Sequence, residues 1–236
     1  MQSYELELAL TYVGDQLPDD LPLSEGAHVS KAAFFRLFIG EILPQSVTSV
    51  VYLDSDAVVV KDMSELLTIE MTKPIAAVDH YSQWDEYRLW GENTGNYFQS
   101  GVIIVDLSYW RENQLHLKFL DIMKNQRDKI RWWDQDVLNI AFEDSWQRLP
   151  VWFNTAQCAL RALPEEDAKE KAKFLHYDGS SKPWKTDIYR PFRQEWFDAY
   201  EDLYGQPFDK RAHSRPLWRR LASKTKAILQ AIKNEL

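Results

Sequence analysis

Residues 50–60, "VVYLDSDAVVV", constrain this chain more than any other stretch. Val50, Val51, Tyr52 and Leu53 lead in and Ala57, Val58, Val59 and Val60 lead out, a composition that reads as buried β-strand. Asp54 and Asp56 interrupt it. Ionised carboxylates are expensive to bury unless something positive meets them. Two residues apart in an extended chain, these side chains share a face, where they repel and raise each other's pKa unless a cation compensates. Oxygen ligands of this kind suit Mg²⁺ or Mn²⁺, which keep open positions for water or phosphate. The pair also closes an apolar strand, and open α/β sheets bind ligands beyond the carboxyl ends of their strands. A solvated turn has the same local sequence, so a metal site needs partners elsewhere in the chain.

The surrounding pattern alternates strands and helices. Residues 1–13 resemble a short strand, and "LPDDLPLSEG" is a loop by its prolines and acidic residues. "SKAAFFRLFIGEIL" places Ala33, Phe34, Leu37, Phe38 and Leu43 at helical spacing, with Ser30 as cap and Pro44 as stop. "KDMSELL" carries a helix-start signature, Asp62 followed three residues later by Glu65. "KPIAAVDH" is a further strand, and residues 81–97 form a polar, aromatic loop. "SGVIIVDLSYW" is an apolar strand running into a helix over roughly 108–127. "WWDQDVLNIAF" opens another helix, with Trp133, Val137, Ile140 and Ala141 inward. "WQRLPVWFNT" is a strand and turn, and "AKFLHYDGSSKPW" a strand ending in a glycine-containing loop. This order predicts an α/β fold with a largely parallel central sheet.

That last loop supplies partners for the aspartates. His176 closes an apolar strand, and its imidazole can complete a metal shell. Gly179 allows close backbone approach to a ligand, and Lys182 brings a positive charge for phosphate. Each alone has a plainer reading, as a core histidine, a turn glycine and a solvated lysine. Asp134, Gln135 and Asp136 cluster at a helix start, where acidic residues are also favoured by the helix dipole alone.

Taken together, the motifs "HVSKAAFFRLFIGEILP", "VVYLDSDAVVVKDMSELL", "YFQSGVIIVDLSYW", "WWDQDVLN", "VWFNT" and "FLHYDGSSKPW" resemble glycosyltransferase family 8 over roughly residues 28–190. These are retaining nucleotide-sugar transferases, among them bacterial lipopolysaccharide galactosyl- and glucosyltransferases and glycogenin. The resemblance implies a GT-A fold in a domain spanning 1–190. Asp54, Asp56 and His176 would hold Mn²⁺ (or Mg²⁺) that bridges the diphosphate of a UDP-glucose or UDP-galactose donor. Ser55, Gly179 and Lys182 would face the donor, with Arg36 near it. Asp134 and Gln135 would line the donor sugar beside its reacting carbon. Gln99 stands where relatives carry asparagine ("FNSGV"), which moves an amide by one methylene and puts sugar preference in question. Only 27 residues precede His28, whereas family members begin with a longer strand-and-helix segment, so the resemblance implies a chain shortened at its N-terminus.

Composition sets the remaining bounds. At 236 residues the chain can form a substantial core, and 45% hydrophobic with 27% charged residues is ordinary for a globular protein. No apolar run reaches the roughly 18 residues of a membrane span, and "MQSYELELAL" lacks the features of a secretory signal. A single cysteine, Cys158, fits a cytosolic protein. The net charge of −8 hides an asymmetry: residues 210–233 carry eight Lys/Arg and no acid, leaving 20 Lys/Arg against 36 Asp/Glu elsewhere. An acidic body argues against nucleic acid as a partner. In the 191–236 tail, Leu217, Leu221, Ile228, Leu229 and Ile232 fall near one helical face, with Trp218 at its border and basic residues mostly elsewhere. Such a cationic amphipathic helix suits an anionic membrane surface, here the cytoplasmic face of the inner membrane, where a glycan or glycolipid acceptor such as lipopolysaccharide core resides. Two functions stay open at this stage: a UDP-sugar-dependent hexosyltransferase, or a non-catalytic family member that keeps the fold and binds glycan. A phosphotransferase or nuclease ranks below both, because no phosphate-cradling glycine loop is present.

Overall fold

The structure, a computed structural model, describes residues 21, 31–80, 96–156, 164–179, 182–185 and 192–209. The strand expected in residues 1–13, the loop at 17–26 apart from Leu21, the Ser30 cap, most of the 81–97 loop and the basic tail helix lie outside these residues.

A four-stranded sheet forms the centre, in the order β1 (Ser49–Leu53), β4 (Phe98–Asp106), β3 (Ile75–Asp79), β5 (Trp146–Leu149). Strand β4 is its hub, with eight of nine residues buried. Its side chains alternate between two cores. Phe98, Ile103 and Val105 join Leu37, Phe38, Trp110, Phe119 and Leu138 on the helical side. Val102 and Ile104 join Ala76, Val78, Leu149, Phe153 and Phe174 on the other. Burial of both faces explains why "GVIIV" reads as a continuous apolar run rather than an alternation.

The alternation of strands and helices predicts a largely parallel sheet, and here the structure differs. Among the described strands, β4 is antiparallel to both β1 and β3, and only β3 and β5 are parallel. Two-sided burial, not strand direction, produces the apolar run, so the sequence pattern does not separate the two cases. The pairing of β3 with β4 also slips: Ala77 faces Ile103 while Val78 faces Gln99. Ser100, Gly101 and Val102 are therefore bulged out of that ladder, a device that re-aims backbone beside functional sites.

The helical layer comprises a 3-10 helix over Lys31–Phe38 that continues into α1 (Ile39–Ile42), then α2 (Leu107–Glu112), α3 (Leu115–Asn125) and α4 (Trp133–Ala141). The apolar spacing of 34, 37 and 38 satisfies a 3-10 helix as well as an α-helix, so the tighter form was not visible in the pattern. The helix expected over 108–127 is two helices, broken where Gln114 takes a left-handed conformation (φ 49°). Asp106 caps the first by accepting a hydrogen bond from Tyr109 N at 2.9 Å. Asp62 accepts from Ser64 N at 2.8 Å at the start of a short 3-10 turn, as its position suggested.

A separate two-stranded ribbon, β2 (Ala57–Val59) with β6 (Phe174–His176), pairs Ala57 with His176. This register delivers the histidine to the aspartates. Helix α5 (Glu165–Lys171) precedes the ribbon's second strand, and α6 (Arg193–Tyr204) packs beside it, with Phe192 and Trp196 against Leu175 and Tyr177.

Candidate active site

The ends of β1, β4 and β6, with the start of α4, surround a cleft of about 670 Å³, within the usual range for small-molecule sites. Every site residue expected from sequence lines it: Arg36, Asp54, Ser55, Asp56, Gln99, Asp134, Gln135, His176, Gly179 and Lys182.

The two aspartates are held from outside and open toward each other. Asp54 leaves β1 with its N–H donating to Gly101 O in the bulge at 2.8 Å. Its Oδ1 accepts from Arg36 at 2.7 Å and from the Tyr52 hydroxyl at 2.8 Å. Asp56 Oδ2 is bonded by Lys182, which also donates to Tyr177 O at 2.7 Å. The remaining oxygens, Asp54 Oδ2 and Asp56 Oδ1, lie 3.6 and 3.2 Å from His176 Nε2. His176 is oriented from behind: its Nδ1 lies 3.0 Å from Asn154 Oδ1. An amide oxygen only accepts, so Nδ1 carries the proton and Nε2 faces the carboxylates.

Ligand atoms of Asp54, Asp56 and His176 all lie within 4.8 Å of one another. Two carboxylate oxygens and one imidazole nitrogen, braced by a second layer of hydrogen bonds, fit a divalent cation such as Mn²⁺. The electrostatics point the same way. Burial opposes charge on His176, yet the bond to Asp56 and the charges of Asp178, Asp54 and Asp56 raise its pKa. Burial alone would raise the Asp56 carboxyl, but His176 and then Lys182 hold it well below the ordinary range. The pair therefore calls for positive charge in its centre.

Behind this cluster Arg36 is buried and binds two acids at once, Asp134 through Nε at 2.8 Å and Asp54 at 2.7 Å. It also donates to Ser100 O at 2.7 Å and Ser100 Oγ at 3.1 Å. Burial acts against its charge, and Asp134 and Asp54 more than restore it. Asp134 is pushed up to about 6 by burial, against the pull of Arg36 and with a push from Asp54. An exposed acid favouring a helix start would not behave so: this one is 5% exposed and committed to Arg36. Gln135, one residue on, has its amide held between Ser100 N on β4 (3.0 Å) and Tyr97 (3.0 Å).

Residue-by-residue reading missed Tyr52, Ser100, Asn154 and Tyr97 as supports, together with His80 and Asp178, which also line the cleft. Tyr52, Ser100, Asn154 and Tyr97 sit inside motifs already noted, but nothing in a single sequence marks them apart from core. Trp132 and Trp133 line the cleft, whereas Trp184 packs on Trp196 with ring centres 5.4 Å apart.

Comparison with known proteins places this geometry. Residues 11–187 match the model of glycosyl transferase family 8. General stress protein A of Bacillus subtilis (strain 168) is 29% identical over 188 residues, 73% of this chain and 66% of that protein. A lipopolysaccharide 1,2-glucosyltransferase of Escherichia coli (strain K12) is 32% identical over 173 residues, 68% of this chain and 51% of that protein. The chain thus spans less than two thirds of the length of these relatives. Among solved structures, an active-site mutant of LgtC superposes with a TM-score of 0.67 at 21% identity, covering 82% of this chain and 75% of that one. The galactosyltransferase LgtC in complex with donor and acceptor sugar analogues gives 0.65 at 22% identity, covering 84% and 74%. The fold is therefore the GT-A fold that LgtC shares. The chain belongs to glycosyltransferase family 8.

Proposed function

We propose that the chain is a retaining hexosyltransferase that moves glucose or galactose from a UDP-sugar to a glycan acceptor, with lipopolysaccharide core as that acceptor. One observation carries this reading: the inward oxygens of Asp54 and Asp56 and Nε2 of His176 converge, beside a lysine, in a cleft large enough for a nucleotide sugar. Asp54, Asp56 and His176 would hold Mn²⁺ or Mg²⁺, which when bound neutralises charge on the donor diphosphate. Lys182 adds positive charge where the departing phosphate gains negative charge, and Gly179, at φ 71° and with open space around its Cα, lets the diphosphate approach the backbone. Arg36 and Asp134 orient the donor sugar. The bond from the sugar's C1 to the phosphate oxygen breaks with its electron pair leaving on UDP. The acceptor hydroxyl oxygen bonds to C1 from the vacated face, and its proton passes to the departing phosphate oxygen. Configuration is retained. Gln135, a neutral amide, offers partial negative charge to the cationic C1 without becoming a leaving group itself.

The basic segment 210–233 would seat the enzyme on the cytoplasmic face of the inner membrane, next to a glycolipid acceptor. A calorimetric titration of UDP into the chain, with and without Mn²⁺, tests the core of the reading. Manganese-dependent binding that disappears in Asp56→Asn is expected, together with slow release of hexose from UDP-glucose or UDP-galactose. A folded chain that binds neither UDP nor manganese overturns it.

A further inference from the structure

We infer that Tyr97 is a positioning residue whose hydroxyl locks the Gln135 amide in the one orientation that presents its oxygen, not its nitrogen, to the cleft. The inference rests on the reading that Gln135 faces the donor sugar's reacting carbon.

Hydrogen-bond direction is fixed through four groups in turn. Asp136 is buried and accepts from Arg131 N and Trp132 N on Oδ2, both at 2.5 Å. Its Oδ1 accepts from the Tyr97 hydroxyl at 2.6 Å. Burial raises the Asp136 pKa, but the two backbone N–H donors and the Tyr97 hydroxyl all favour the carboxylate, which, as an acceptor only, receives the Tyr97 O–H as donor. The Tyr97 oxygen then has only a lone pair left to offer, and only a donor can use it. Gln135 Nε2 does so at 3.0 Å. At the other end of the same amide, Ser100 N–H donates to Oε1 at 3.0 Å. A backbone N–H requires an oxygen there. Both ends thus select the same orientation, and turning the amide over would set donor against donor and acceptor against acceptor.

The two ends also differ in where they point. Tyr97 is buried and does not line the cleft, whereas Ser100 does. The nitrogen is therefore tied to a residue behind the cleft and the oxygen to one that lines it. Burial and the charge of Asp136 raise the Tyr97 pKa, which keeps its proton in place. Both supports are rigid. Asn139, one turn on from Gln135, accepts from Phe98 N at 2.8 Å and donates to Phe98 O at 2.9 Å, pinning α4 to β4 next to Tyr97. The Tyr97 ring meets His80 edge-on at 5.3 Å, and Tyr97 O accepts from His80 N at 2.9 Å.

Tyr97→Phe keeps the ring and removes the hydroxyl. With UDP-glucose and UDP-galactose as probes, release of hexose should slow by about 10- to 100-fold in kcat. Calorimetric affinity for UDP with Mn²⁺ should stay within about twofold, because the change touches neither the metal cluster nor Lys182. The double mutant with Gln135→Ala should be little slower than Gln135→Ala alone, since the effect of the Tyr97 hydroxyl on turnover runs through that amide. An unchanged kcat, or losses that simply add, overturns the inference. A second readout needs no turnover: in protein labelled with ¹⁵N-glutamine, the Gln135 side-chain NH₂ protons should exchange slowly with solvent in the native chain. In Tyr97→Phe they should exchange at least about tenfold faster. Equal exchange rates also overturn it. Loss of protection in a chain that releases no hexose keeps the lock and removes the glycosyltransfer reading instead, so the two failures are distinguishable.

Discussion

Gly101 sits in the β4 bulge where the strand has no room for a side chain. A Cβ there would fall 2.2 Å from Cε1 and 2.5 Å from Nδ1 of His176, so the strand backbone forms one wall of the histidine's slot. Gly101→Ala should displace the imidazole, weaken Mn²⁺ binding by more than tenfold in an electron paramagnetic resonance titration, and cost about 1–3 kcal/mol of stability by overpacking. Asn154 acts on the same ring through Nδ1. Asn154→Leu should weaken Mn²⁺ by about 10- to 100-fold, whereas Asn154→Asp, which keeps an acceptor at Nδ1, should recover most of the loss. A third prediction concerns Asp134. Its carboxyl ionises near 4 in an unfolded chain but only near 6 here, mainly because it is buried. Between these values the folded state holds more protons than the unfolded one, so this group's contribution to stability falls as pH rises and is constant above. The stability difference between the native chain and Asp134→Asn should decline from pH 4 to about 6.5 by on the order of 3 kcal/mol, then level off. A difference that stays flat across that window in urea titrations would show that Asp134 ionises normally.

At the scale of elements, the site depends on how β4 and its neighbours are tied. Arg111 of α2 donates to the carbonyls of Gly40, Leu43, Pro44 and Val47 at 2.7–3.0 Å. These carbonyls end α1 and begin the approach to β1, and helix ends leave such groups without internal partners. Arg111→Met should therefore cost about 2–4 kcal/mol in chemical denaturation, through acceptors left unsatisfied, with manganese affinity little changed at temperatures where the chain is folded. Helix α6 is tied differently, through aromatic contacts of Trp196 with Trp184 and Phe208 at 5.4 and 5.0 Å. The order of strands and helices was legible from hydrophobic spacing, as was the Asp62 turn. Strand direction was not, because the run "GVIIV" records burial on both faces and carries no sign. The break at Gln114 was equally hidden, since glutamine is an ordinary helix former and nothing in its side chain calls for the left-handed conformation it takes.

For the molecule as a whole, charge is the feature that sequence states and the described residues do not reach. The segment 210–233 carries +8, and the remainder −16. Among the described residues no helix is long and apolar enough to cross a membrane. The proposed contact with a bilayer would work through the charge and the apolar spacing of the basic segment. The full chain should sediment with vesicles containing phosphatidylglycerol and not with phosphatidylcholine alone. Binding should fall steeply above roughly 0.3 M salt as surface charges are screened, and should be lost when residues 210–236 are removed. Equal binding to both vesicle types would instead assign the basic segment to contact with the acidic body.

The sequence by itself determined which chemistry was available. Two carboxylates at a strand end, a histidine and lysine after another, and an Asp-Gln-Asp helix start can be read without coordinates, because their cost in an apolar setting demands compensation. It also determined the family, because the motifs occur in a fixed order. Only the tertiary structure decided that these segments meet. Ala57 pairs with His176 across 119 positions of sequence, and the β4 bulge opens the space that their meeting needs. The structure likewise decided which oxygens face inward, which nitrogen of His176 carries the proton and which way the Gln135 amide is turned. The physical reason is the same in each case. Residue type is local, but the direction of a hydrogen bond and the sign of a compensating charge belong to whatever the fold brings alongside.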